Sequence, residues 1–495
     1  MQPGNYKKIA PVLLILAMVG IIPLIFISFQ KLTLFLVVII MIIWIIYLFN
    51  RVLPSNFVDR IFSPTGMLLT CIILVYFPRM LFHVFLFETR ASPFSNYMSY
   101  NEFMMQTFVA LGILLGSLIM FWAGFVLPGV KTSMPRNNFN FKLSSRTFKW
   151  YFWILIALGC LGILKFVHNT GMQYFLIILS PGKRILHNLG HGYLEILLRL
   201  IPFAMILLYW KKCLEGKQGL TWLALLGIAT FFSMGILGQR SRLFYPFLSV
   251  IVIHHYLVRK ISVKTLFTWG TIILAGTTAF LMYRQLSAGY DMADIRNIRK
   301  AYSEKARNLY GSSEGFFHLI TNTFRTYDSY FLVVNDDSML LGGSSYIDVF
   351  KQMIPSALWK DKSRRMKTVG KTASDVYMPW IRAGVPPTLL GELYMNFSLI
   401  GTFAVMFFLG LVFSFLQKLY RKRYQDPWAV LVLAIFFPNI FNFVWSFALG
   451  WFHVMVKDFL TLLLTFLVFR NSYSLGTDET ETPEPYESGM PIVVI

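Results

Sequence analysis

Apolar and polar positions fall along this chain in long blocks, not at the spacings of a soluble fold. Apolar runs of about 17 to 25 residues, the length that crosses a bilayer core, extend near Ile9 to Ser28, Leu32 to Phe49, Met67 to Phe85, Phe103 to Leu127 and Trp150 to Val167. Others lie near Tyr193 to Trp210, Leu220 to Leu237, Phe244 to Leu257, Leu266 to Tyr283, Leu390 to Leu416, Trp428 to Phe447 and Phe452 to Phe469. The pattern predicts an all-α polytopic membrane protein of about twelve transmembrane helices. Helices fill 1–283 and 390–470, residues 284–389 form a large helical extracytoplasmic loop, and 471–495 form a disordered cytoplasmic tail. No small-residue cleavage site follows the first run, so it is expected to remain as a helix.

Composition agrees. Of 495 residues, 56% are hydrophobic and only 14% charged, more apolar surface than a soluble chain can bury. Cys71, Cys160 and Cys213 lie in or beside apolar runs and match neither a metal nor a disulfide framework.

The net charge of +22 is explained by position. Lys and Arg crowd one set of span ends, among them Arg60, Lys131, Lys149, Lys211, Lys212, Arg259, Lys260, Arg421 and Arg423, while the opposite short loops hold little beyond Lys31 and Arg90. The positive-inside rule then places both termini in the cytoplasm and the long polar segment outside. Membrane lipids are the expected partner of the remaining excess, and nucleic acid is not.

Ionisable side chains within spans are costly and mark wet cavities or interhelical pairing. Arg79, Glu195, Arg199, Glu392, Asn396, Asn439, Asn442, His453, Lys457 and Asp458 all fall in the outer half of their spans. Their shared depth predicts an outward-opening polar cavity beneath the long loop.

Basic sites surround that loop. GQRSR, Gly238 to Arg242, occupies a short outer connection, where Arg240 and Arg242 offer guanidinium forks suited to phosphate oxygens. Lys183 and Arg184 sit in an earlier outer loop. His187 and His191 follow at a metal-compatible spacing, but without a third ligand nearby no metal site is expected. Arg284 opens the long loop, and His318 and Arg325 share a helical face within it. Asp336 and Asp337, in an NDDS turn, read as turn formers.

Gly343 to Tyr346 with IPSALWKDK, followed by GELYMNFSLIG, resemble the bacterial oligosaccharide repeat-unit polymerases, the Wzy-type O-antigen and capsule polymerases. The likeness is specific over Gly342 to Gly401 and loose elsewhere; Lys360 stands where family members usually carry Pro. It implies a GT-C-like fold. It also implies transfer of a growing glycan from an undecaprenyl-pyrophosphate carrier to the terminal sugar hydroxyl of an incoming lipid-linked repeat unit, with no cofactor or metal. A flippase and a chain-length regulator are the implied protein partners. Such chemistry needs positive charge on the leaving pyrophosphate and an acceptor for the hydroxyl proton. Arg240, Arg242, Arg184, Arg284, Arg325 and Lys362 are candidates for the first; Glu392 and His318 are candidates for the second. Tyr346, Trp359 and Tyr394 are candidate sugar-stacking residues and Asn396 a substrate contact. For Glu392 a buried, paired carboxylate near a helix N-terminus is an equal alternative. A ligase using the same carrier and a lipid-linked oligosaccharide flippase are the competing functions.

Overall fold

The computed structural model describes residues 36–41, 43–45, 47, 57–86, 93–127, 139–141, 144–170, 192–216, 225, 227–230, 233, 240–268, 270–271, 326–336, 340–353, 359, 376, 385–423, 426–445, 453–469 and 473–475. These form helices α1 (Phe57–Ile61), α2 (Pro64–Leu86), α3 (Tyr100–Val126), α4 (Ser145–Thr170), α5 (Gly192–Leu214) and α6 (Arg240–Leu257). They continue with α7 (Thr326–Val334), α8 (Ser344–Met353), α9 (Thr388–Arg423), α10 (Pro427–Trp445) and α11 (His453–Phe469). By length and composition, five helices among the described residues can cross a membrane: α2, α3, α4, α9 and α10. The chain is an α-helical multi-pass membrane protein. The expected span at Ile9 to Ser28 lies outside the described residues.

Side-chain bonds between helix ends show that the bundle runs up and down. At one end, Gln417 Oε1 accepts from Thr65 N, the indole of Trp210 donates to Pro427 O, and Tyr151 meets Thr465. At the other end, Tyr76 meets Thr388, Arg199 meets Asp458 and Tyr245 meets Asn442. The first end carries the basic side chains Lys211, Lys260 and Arg421, and the second gathers the intramembrane polar residues. Phe139–Phe141 (β1) and Tyr473–Leu475 (β2) pair as an antiparallel ladder, which ties the segment before α4 to the head of the acidic tail.

One apolar core joins α2, α3, α5, α6, α7, α9 and α10. Its tightest seam is α3 against α9, where glycines let the backbones touch. A Cβ at Gly124 would stand 2.0 Å from Phe407 O, and one at Gly410 2.0 Å from Phe121 O. Small residues at such crossings are how membrane helices gain close packing. α4 instead turns Trp150, Trp153, Leu161 and Leu164 outward, an apolar face suited to lipid.

Two local features differ from the sequence reading. Arg240 opens α6, so Arg240 and Arg242 lie on its first helical turn and not in the connection before it. The segment Thr326–Val334, taken with the outer loop, is buried among the spanning helices. Tyr330 donates to Ala110 O in mid-α3, and Asn335 donates to Gln106 O. Its run of aromatic and β-branched residues explains the burial.

Candidate functional site

The GELYMNF segment is a short helix held at both ends by non-glycine residues in the left-handed region, Thr388 at φ 67° and Ser398 at φ 57°. Thr388 caps it: Gly391 N donates to Thr388 Oγ1, Tyr76 OH donates to the same oxygen at 2.7 Å, and Leu390 N donates to Tyr76 OH. Two of the orphan amides of the first turn are thereby satisfied. At the far end the backbone of α9 breaks at Ser398, with ψ −166°. A continuous helix would give Met395 O to the amide of residue 399; here Leu341 N takes it, at 2.6 Å. Gly401 is needed below the break, where a Cβ would stand 2.2 Å from that of Phe397. Strain of this kind persists only where surrounding structure fixes it, and it clusters at functional sites.

The chain that follows Leu341 turns through Gly342 and Gly343, at φ 53° and 83°, and so lays α8 over the short helix. Ser345 Oγ then lies 2.8 Å from Asn396 Nδ2 and 3.4 Å from Glu392 Oε1. Asn396 also donates to Glu392 O at 2.7 Å, as expected for side chains four apart. All three polar residues are buried, Glu392 to 2% exposure. Tyr346 stacks on Phe397 at 5.5 Å and 9°. Burial, with the Glu392 carboxylate beside it, pushes the Tyr346 phenol upward and keeps it a neutral hydroxyl. A buried carboxylate among hydroxyl and amide groups can accept a proton or bond a sugar hydroxyl.

Behind this cluster stands an ion triad. Arg79 donates from Nε and Nη2 to the two carboxylate oxygens of Asp328, at 2.9 and 2.8 Å, and His83 Nε2 lies 2.7 Å from Oδ1. Arg79 and His83 have no exposed surface. The triad pins α7 to α2, and α7 backs the short helix: a Cβ at Gly391 would stand 3.4 Å from Tyr330 Cα. A third polar group joins Arg199, Asp458 and Asn439 across α5, α11 and α10. Arg199 therefore pairs between helices; the side chain of Glu195, four residues before it, lies outside the described residues.

Of the candidate residues, the structure brings together Glu392, Asn396 and Tyr346. Tyr394 is buried on the same short helix and Trp359 is half-buried. Arg184, Arg284, His318, Arg325 and Lys362, and the side chains of Arg240 and Arg242, lie outside the described residues. Ser345, Asp328, His83 and Tyr76 are additions that sequence reading missed. The paired glycines before Ser345 and the lone acid inside the aromatic stretch TYDSYF were the available signals. Among the described residues no three His, Cys, Asp or Glu side chains gather as a metal site. No family model matches this chain, and neither a curated protein nor a solved structure matches it.

Proposed function

We propose that this chain is a membrane glycosyltransferase that polymerises undecaprenyl-pyrophosphate-linked oligosaccharide repeat units, with Glu392 as the proton acceptor. The observation that carries the reading is the buried Ser345, Glu392 and Asn396 cluster, held between the strained backbones of Thr388 and Ser398. These residues lie in the stretch whose motif resembles the repeat-unit polymerases. In this account the acceptor sugar hydroxyl attacks the anomeric carbon of the donor glycan. A new C–O bond forms, the bond from that carbon to the pyrophosphate oxygen breaks, and the pyrophosphate leaves with the electron pair. Glu392 takes the hydroxyl proton. Arg240, Arg242, Arg184 and Arg284 are the proposed cations for the leaving group.

The full architecture in this reading is a twelve-span, GT-C-like protein of the bacterial inner membrane, with cytoplasmic termini and chemistry at the outer face. Concentration of polar residues at the end opposite the basic one supports that orientation. The test is an in vitro reaction of the purified chain with defined lipid-linked repeat units. Products several repeats long are expected; unextended single repeats would refute the proposal. A flippase is the second reading, favoured by the polar cavity that three proline-bearing helices line. It predicts movement of lipid-linked repeats across vesicles without any gain in glycan length.

A further inference from the structure

At the basic end of the bundle a cavity of about 350 Å³ opens between the start of α4 and the end of α11, within the roughly 300–1,000 Å³ of small-molecule sites. Arg146, Thr147, Trp150, Tyr151, Ile154 and Val468 line it. Arg146 and Lys149 are both exposed and stand three apart on α4, a helix that contains no acid. No carboxylate nearby is free to balance them. Among the described acids of that end, Asp59 bonds Lys260 and His255, Glu215 pairs with Lys211 and Lys212, and Asp426 Oδ1 accepts from Trp428 N. Arg146 and Lys149 form no ion pair among the described residues.

Beyond the cations the same face of α4 is apolar. Trp150, Trp153, Ala157, Leu161 and Leu164 are all exposed, at spacings of three or four that keep them on one side of the helix. From Arg146 to Leu164 the stripe runs about 27 Å at the helical rise, most of the thickness of a bilayer's hydrocarbon core. Trp150 and Trp153 stand where interfacial aromatic rings gather. A free anion would use the cations and leave this stripe unused, whereas a lipid uses both. A choline headgroup would bring its own cation against Arg146 and Lys149, with no free carboxylate to receive it.

We infer that this cavity binds one anionic phospholipid. The Arg146 guanidinium takes the phosphate, the Thr147 hydroxyl donates to the headgroup, and an acyl chain lies along Trp150, Trp153 and Leu161. The site is at the opposite end of the bundle from Ser345, Glu392 and Asn396 and shares no residue with them, so it stands whether or not Glu392 is catalytic.

The test is competitive lipid binding to the full chain in micelles holding equal amounts of phosphatidylglycerol and phosphatidylcholine, with bound lipid counted by mass spectrometry of the intact complex. The parent is expected to retain one phosphatidylglycerol in preference to phosphatidylcholine. Each cation near an anionic headgroup contributes about fivefold. Arg146→Gln is therefore expected to lower that affinity about fivefold, and Arg146→Gln with Lys149→Gln about thirtyfold. Both side chains are exposed, so the variants should melt as the parent does. Lys165→Gln, also exposed but at the far end of α4, is expected to change nothing. Glycerol 3-phosphate, an anionic headgroup without acyl chains, is expected not to displace the lipid. Equal retention of phosphatidylcholine, displacement by glycerol 3-phosphate, or unchanged affinity in the double variant would overturn the inference. So would phosphatidylglycerol binding that appears only after residues 476–495 are removed, because the acidic tail that follows β2 would then be what the two cations hold.

Discussion

Asp328→Asn removes one charge from a place that water does not reach. The structure gives Arg79 a bidentate contact at 2.9 and 2.8 Å with no exposed surface on the arginine, and His83 shares the same carboxylate. Losing the partner of a buried ion costs about 3–5 kcal/mol. At about 1.4 kcal/mol per decade that is between two and four powers of ten in the unfolding constant. The cost arises from the orphaned Arg79, so removing both charges should recover most of it: Arg79→Met with Asp328→Leu is expected within about 1 kcal/mol of the parent. The assay is reversible unfolding in mixed micelles of the parent, the single variant and the double variant. A double variant as unstable as Asp328→Asn would refute the charge argument and leave packing as the cause. A single variant within about 1 kcal/mol of the parent would show that the site is not sealed.

Three further outcomes are expected. Gly124→Ala and Gly410→Ala should each destabilise the bundle by about 1–3 kcal/mol, because each Cβ lands 2.0 Å from a carbonyl oxygen. Gly112→Ala, with nothing within 4 Å, should be neutral or slightly stabilising; thermal melts decide. Ser398→Gly should stabilise by about 1 kcal/mol by relieving a conformation that glycine tolerates, and Ser398→Val should do the opposite. Burial opposes ionisation of Asp59, yet hydrogen bonds from Lys260 and His255 outweigh it and hold the carboxyl below its ordinary 3.8. A lowered folded value means the stabilisation is present above about pH 4 and lost as pH falls further. Melts of the parent should drop over that interval, and Asp59→Asn should flatten the drop.

How much of this was legible depends on the range of each interaction. The five spans α2, α3, α4, α9 and α10 followed from hydropathy alone, because lipid solvation imposes a minimum length. Glu392, Asn396, Arg79, Arg199, Asp458 and Asn439 stood out as polar residues in apolar runs. Their grouping was not legible. The shared depth predicted one cavity, whereas the described residues form separate clusters at α7, at α8 with α9, and at α5, α10 and α11. Nothing local links Arg79 to Asp328, 249 positions away. The break at Ser398 was invisible for a related reason: SLIG reads as ordinary helix, and only the bond from Leu341 to Met395 shows what fills the gap.

The measurement that bears most directly on the account is chain extension by Glu392→Gln in the reconstituted reaction with lipid-linked repeat units. Gln keeps the shape and can still accept from Ser345, but it cannot take a proton. The account predicts a rate lower by about a hundredfold or more, with thermal stability near that of the parent. Extension at the parent's rate would contradict it and leave Glu392 as a buried structural carboxylate.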